Sequence, residues 1–170
     1  MKNSIYKYQI NLKQQLILLT HVIFIFSAFI GFGIYLYWKN NLDNKAYISV
    51  FLFFLVIDIL PTIIIHIQYW IKNHGIIFII NTETKKLQYE GLYKIIEFSF
   101  DDISSLQYYP SLGKGSGWHS FGEYRYYKII FKDKTEIVIT CLMVNDIEDT
   151  LEMLLHLKAE RHSKVLSLIE

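Results

Sequence analysis

Asp58, Thr62, His66 and Tyr69 stand at i, i+4, i+8 and i+11 in the stretch FLFFLVIDILPTIIIHIQYW, residues 51–70. On a helix that spacing puts all four on one face. A carboxylate, a hydroxyl, an imidazole and a phenol in one row open three chemistries: a proton or ion path, a hydrogen-bonded seam, or a docking surface for a partner membrane protein. An ionised carboxylate at the centre of an apolar span costs about 2.5–3.5 kcal/mol on insertion scales, so Asp58 must be protonated, hydrogen-bonded or turned to a wet cleft. The path would recruit His66 and His21, and it requires oligomers because two helices cannot enclose a pore. The seam would fix helix register or join copies of the chain. Its natural counterpart is the stripe Thr20, Ser27, Ala28 and Gly31, where Ser27-xxx-Gly31 is a small-xxx-small spacing that permits close helix approach. In an antiparallel hairpin whose residue numbers at equal depth sum to about 85–87, Asp58 lies level with Ser27 to Phe29, and His66 with His21. Pro61 removes the helical bond to the Ile57 carbonyl and predicts a kink there.

A second candidate lies in PSLGKGSGWHSFGE, residues 110–123. Trp118, His119 and Phe121 at its tip suit a membrane interface or a partner surface, with Lys114 and Arg125 close to lipid phosphates. The competing reading is a mobile hairpin loop built on Gly113, Gly115 and Gly117. It is not a phosphate-binding loop of the G-x-x-x-x-G-K-[ST] kind. Elsewhere the chemistry is sparse. The six histidines are scattered without metal-ligand spacing, and the single Cys141 sits in a strand pattern with no base or orienting acid beside it in the sequence. No metal, no cofactor and no enzymatic activity are expected. A net charge of +1 lacks the basic stripe that nucleic acid demands.

The elements that must hold these residues divide the 170-residue chain in two. Residues 16–38 run for 23 positions without a charge, and a second apolar run from residue 46 to 71 is interrupted only by Asp58. About 20 such residues cross a hydrocarbon core, so the two runs read as a transmembrane helical hairpin. Tyr35, Tyr37, Trp38, Tyr47, Tyr69 and Trp70 supply interfacial aromatics at the ends, and the first run ends too bulkily for a cleaved signal peptide. Lys2, Lys7 and Lys13 before it, and Lys72, Lys85 and Lys86 after the second run, outweigh Lys39 and Lys45 between them. That bias places both termini in the cytoplasm of a multi-pass inner (plasma) membrane protein. Residues 1–15 read as a basic segment, lying on an anionic surface or unstructured. A lone cysteine fits a reducing compartment.

From residue 76 the pattern changes to short strands. IIFII, the turn NTETKK, a strand from Leu87, then KIIEFSF with Ile96, Phe98 and Phe100 alternating, a strand near residues 105–109, and a hairpin of EYRYYKIIFK with TEIVITCLM across Asp133-Lys134 give six strands or seven. In EYRYYKIIFK, Tyr124, Tyr126 and Lys128 share one face and Arg125, Tyr127, Ile129 and Phe131 the other. One of those faces is core and the other is a contact surface. A helix follows from about residue 146, capped by Asn145 and Glu148, with Ile147, Leu151, Leu154, Leu155 and Lys158 in helical period.

IIFIINTETKKLQYEG, FSFDDISSLQYY and YYKIIFKDKTEIVIT followed by NDIEDTLEMLLHL together resemble the pleckstrin-homology-like (PH-like) superfold, as found in bacterial membrane proteins with helices beside such a domain. The expected fold is an α+β membrane protein: a two-helix transmembrane hairpin, then a PH-like antiparallel β-barrel or sandwich over residues 76–170, capped by a C-terminal amphipathic helix. What the resemblance implies is a binding or scaffolding module that reads a lipid headgroup, a peptide or a protein and does not catalyse. It departs from the phosphoinositide-binding type, since the first strand turn offers only Lys85 and Lys86 beside Glu83. The expected partners are the bilayer itself and a protein, or further copies of the chain through the helices. The other role such a hairpin protein suits is immunity to a membrane-active toxin, with the Asp58 face as the docking surface.

Overall fold

The segment IYKYQ before the first apolar run alternates Tyr6 and Tyr8 against Ile5, Lys7 and Gln9, which is the period of a strand with one face buried. In the computed structural model it is a strand. The structure describes residues 5–39, 44–91, 94–111, 119–144 and 146–169. Strand β1 (Ile5–Gln9) pairs antiparallel with β2 (Ile77–Asn81), Tyr6 opposite Ile80 and Tyr8 opposite Phe78. Tyr6 and Tyr8 pack on the domain core while Lys7 stays exposed. The expectation of a basic surface segment over residues 1–15 is therefore corrected. So is that of a domain beginning at residue 76, because the domain starts before the hairpin and resumes after it.

Helix α1 (Leu12–Trp38) follows directly, its first turn capped by the Asn11 side chain, which accepts from the Lys13 N–H at 2.9 Å. The returning arm is α2 (Asn44–Phe54), a π-helical turn at Leu55–Ile59, and α3 (Leu60–Asn73). Both arms are long and apolar enough to cross a membrane. The distortion expected at Pro61 is the π turn just before it, where the Leu60 N–H donates to the Leu55 carbonyl. Thr62 Oγ1 donates to the Asp58 carbonyl at 2.6 Å.

Aromatic rings set the register of the arms. Phe26 meets Phe51 edge-on, Phe29 meets Phe51 and Phe54, and Tyr47 Oη donates to the Phe29 carbonyl at 2.5 Å. Facing numbers thus sum to about 80, which levels Asp58 with Val22 instead of Ser27–Phe29. Ser27 is exposed and Gly31 has open space where a Cβ would stand. The close approach is at Gly33, where a Cβ would come within 2.6 Å of Tyr47 Oη. The small-residue seam expected at Ser27 and Gly31 is not where the arms meet.

The domain consists of two four-stranded sheets. The first has the order β1-β2-β3-β4, with β3 at Lys86–Glu90 and β4 at Ile95–Ser99. In the second, the order is β7-β6-β5-β8, with β5 at Ile103–Pro110, β6 at Arg125–Phe131, β7 at Glu136–Thr140 and β8 at Glu160–Arg161. All pairs are antiparallel except β5 with β8. Phe78, Ile80 and Leu87 from the first sheet meet Leu106, Tyr108, Tyr127, Ile129 and Phe131 from the second. Helix α4 (Ile147–Leu155) covers this core with Ile147, Leu151, Leu154 and Leu155, as its period predicts. It ends at a left-handed His156, so Lys158 lies beyond it, and Asn145, the expected cap, is outside the described residues.

Placing β1 in the sheet has a measurable consequence. Tyr6→Ala and Tyr8→Ala should each lower the unfolding free energy of the purified chain by about 1–2 kcal/mol, less than truncating a fully buried aromatic. Lys7→Ala, on the opposite face, should leave it unchanged. Denaturant titration that ranks all three variants together would remove β1 from the folded domain.

Candidate functional site

Helix α3 turns a polar face inward. Asp58, Thr62, Ile65, Tyr69 and Asn73 are buried along one side of the arm, with His66 and Gln68 half-buried beside them. That side meets the domain, and Leu18 of α1 joins the same buried cluster. The meeting surface comprises the 3₁₀ turn Ser120–Glu123, Tyr124 and Tyr126, the end of β7, and the C-terminal segment 164–169.

Asp58, only 4% exposed, accepts from the Ser120 N–H at 2.8 Å and the Ser120 hydroxyl at 2.6 Å. His119 Nδ1 lies 3.7 Å from the same carboxylate and its ring stacks on Phe121. The side chain so placed caps the 3₁₀ turn from outside the chain segment that forms it, giving its donors an acceptor. Eight residues along, His66 Nδ1 is 2.8 Å from the Tyr124 hydroxyl. Tyr69 Oη donates to the Ser167 carbonyl at 2.7 Å, and Ser167 Oγ donates in turn to the Tyr124 carbonyl. Gln68 binds both backbone groups of Ile169. Asn73 ends the row as a surrogate strand residue: its amide donates to the Val138 carbonyl at 2.9 Å and accepts from the Thr140 N–H at 3.1 Å. The outer edge of β7 is thereby covered.

Aspartate, histidine and serine meet here, but not as a nucleophile with its base. Ser120 gives its hydroxyl proton to Asp58 directly, so the set is wired as a clamp. Among the described residues no group of three His, Cys, Asp or Glu side chains is placed to hold a metal ion.

The structure brings together Asp58, Thr62, His66 and, from the loop, His119 and Phe121. It leaves Ser27 apart on an exposed part of α1. Phe121 is not a projecting tip: it is buried with Leu18, Ile65 and Tyr69 between helix and domain, which corrects its expected exposure to lipid or partner. Lys114 and Trp118 lie outside the described residues. His21 and Arg125 line a separate cleft of about 280 Å³ between α1 and the domain, together with Gln14, Ile17, Leu18, Glu123 and Cys141. Arg125 Nη1 binds Glu123 Oε2 at 3.0 Å. Sequence reasoning missed Ser120, Ser167, Gln68 and Asn73. The last two carried a signal, since Gln68 stands beside Tyr69 and Asn73 continues the polar side of the helix one turn past it.

Strand β6 is covered on both sides. Tyr127, Ile129 and Phe131 enter the core between the sheets, while Tyr124 and Tyr126 enter the cluster under α3. Burial pushes the Tyr124 phenol well above its usual range. Burial likewise pushes the Cys141 thiol up to about 11.

A family model described as a PH domain matches residues 7–149. The chain belongs to the PH domain family. The match begins inside β1, runs through both apolar helices and ends inside α4, so the hairpin is an insertion within this PH domain and not a leader before it. No curated protein and no solved structure matches the chain.

Two measurements probe the site. Asp58→Leu strands the Ser120 N–H and hydroxyl in a buried place and should destabilise the chain by about 1–3 kcal/mol in thermal or denaturant unfolding. Asp58→Asn, which retains an acceptor, should lose less; equal losses would mean the carboxylate is not what the turn needs. Cys141 should resist maleimide at pH 7 in the folded chain and react promptly once unfolded, because burial keeps it a protonated thiol. Fast labelling of the native protein would contradict its burial.

Proposed function

We propose that this PH domain protein is a membrane-anchored binding module: the hairpin crosses the bilayer, and the domain is held at the cytoplasmic surface to engage a protein or lipid as a scaffold. The observation that carries the reading is the insertion of the two apolar arms between β1 and β2, with α3 joined to the domain by a buried polar seam. A tether of that kind fixes orientation as well as location. The outward sides of both arms support it, with Phe24, Phe32, Ile34, Val56, Ile64 and Ile71 all exposed, an apolar surface too extensive to leave in water. The lysine bias of the sequence supports an inward-facing domain. A non-catalytic role agrees with the clamp wiring of Asp58, His119 and Ser120.

The immunity reading required the Asp58 face as a docking surface. That face is filled by the domain's own turn, and nothing else favours it.

Topology is tested with single cysteines in a Cys141→Ala background. Lys39→Cys, beyond α1, should react with impermeant maleimide on intact cells, and Met153→Cys, on exposed α4, only after permeabilisation. The reverse pattern would overturn the orientation, and protection of both would overturn the crossing. Excision of the protein in polymer discs, followed by mass spectrometry of co-isolated proteins and lipids, then reads what the domain holds.

A further inference from the structure

The cleft beside α1 has a depth, a charge pattern and a size that together select a ligand. Gln14, Ile17, Leu18 and His21 stand at i, i+3, i+4 and i+7, so a single face of the helix forms one wall. At about 1.5 Å per residue, a hydrocarbon core of about 30 Å takes up about 20 residues. Measured back from the interfacial Trp38, the near boundary falls at about Leu18. Gln14 then stands among headgroups, and Ile17 and Leu18 stand where acyl chains begin. The opposite wall comes from the domain and carries both signs of charge: the Arg125 guanidinium, its side chain only 12% exposed, and the Glu123 carboxylate 3.0 Å from it.

We propose that this cleft binds the headgroup of an aminophospholipid, phosphate toward Arg125 and Gln14, ammonium toward Glu123. The inference rests on the membrane reading above. Arginine alone would suit any anionic lipid, since a guanidinium matches phosphate geometry. Glutamate beside it cancels the net charge and repels a headgroup that is only anionic. A ligand bearing both charges satisfies both residues. A primary ammonium offers N–H donors to the carboxylate, and a quaternary choline offers none. The volume of about 280 Å³ is at the small end for ligand pockets, sized for a headgroup whose chains leave along Ile17 and Leu18.

The test uses the full chain in phosphatidylcholine discs doped with spin-labelled phosphatidylethanolamine, phosphatidylcholine or phosphatidylglycerol, reading the motionally restricted fraction of each. Phosphatidylethanolamine should be enriched about fivefold over the other two, the scale of one partly screened charge contact. Glu123→Gln, an isosteric change at a half-exposed side chain, should move the preference to phosphatidylglycerol by removing the repulsion. Gln14→Ala, on the wall formed by α1, should reduce enrichment without reversing it. Equal restriction of all three lipids in the wild type, or an unchanged ranking in Glu123→Gln, would overturn the site while leaving the anchor intact. No restricted component for any lipid would overturn the site and the membrane reading together. Binding of soluble phosphoethanolamine without enrichment of phosphatidylethanolamine would assign the cleft to a free phosphoamine and overturn the lipid.

Discussion

A carboxylate removed from water costs several kcal/mol unless donors surround it, and the position of everything else follows from how Asp58 meets that demand. Its two oxygens take the backbone N–H and the hydroxyl of Ser120, residues distant in sequence and on the other part of the fold. The bond is possible only when α3 lies along the domain. Once it does, His66, Gln68, Tyr69 and Asn73 fall in turn on Tyr124, the C-terminal segment and the edge of β7. Helix and domain thus share one continuous polar seam, sealed by the apolar cluster of Leu18, Ile65, Phe121 and Tyr126.

The same seam explains why β6 is so aromatic. A sheet in a simple sandwich buries one side of each strand, whereas β6 must fill two interiors at once. Tyr127, Ile129 and Phe131 serve the core between the sheets. Tyr124 and Tyr126 serve the joint, where a phenol supplies both area and a polar end that can reach His66 or the Leu168 carbonyl.

Much of this was legible in the residues, and the failures have physical causes. The alternation in Ile96, Phe98 and Phe100, the hairpin at Asp133-Lys134 and the stripe Ile147, Leu151, Leu154, Leu155 are local patterns that local geometry honours. The two faces assigned to this strand hold for Tyr124 and Tyr126 on one side and for Tyr127, Ile129 and Phe131 on the other, and both sets proved to be buried. Strand β1 escaped because its partner lies beyond the whole hairpin, so no turn announces the pairing, and Lys7 with its flanking lysines reads as a surface segment. Asp58 was placed level with Ser27 to Phe29 because its polar face was paired with the small stripe of the first run, whereas the arms meet through aromatic rings and that face turns to the domain. In fact half of α3 faces protein, and hydropathy alone does not distinguish the two surroundings. Ser120 and Ser167 gave no signal, since a serine's value here depends on which carboxylate, carbonyl or phenol the fold brings to it.

The way the hairpin joins the domain limits how the two can move. Only Ile10 and Asn11 separate β1 from α1, and three residues, His74 to Ile76, separate α3 from β2. Connections that short cannot absorb a large rotation, and strands β1 and β2 are bonded to each other across the opening they leave. A rearrangement of the domain relative to the arms therefore has to be made at the seam, by separating the Ser120–Glu123 turn or the 164–169 segment from α3. Those are contacts between segments remote in sequence, and they can part without unfolding a strand. A ligand can shift such an equilibrium only by its difference in affinity between the two arrangements. The cleft wall formed by Glu123 and Arg125 begins within the turn that Asp58 holds, so a group bound there would register whether the seam is closed.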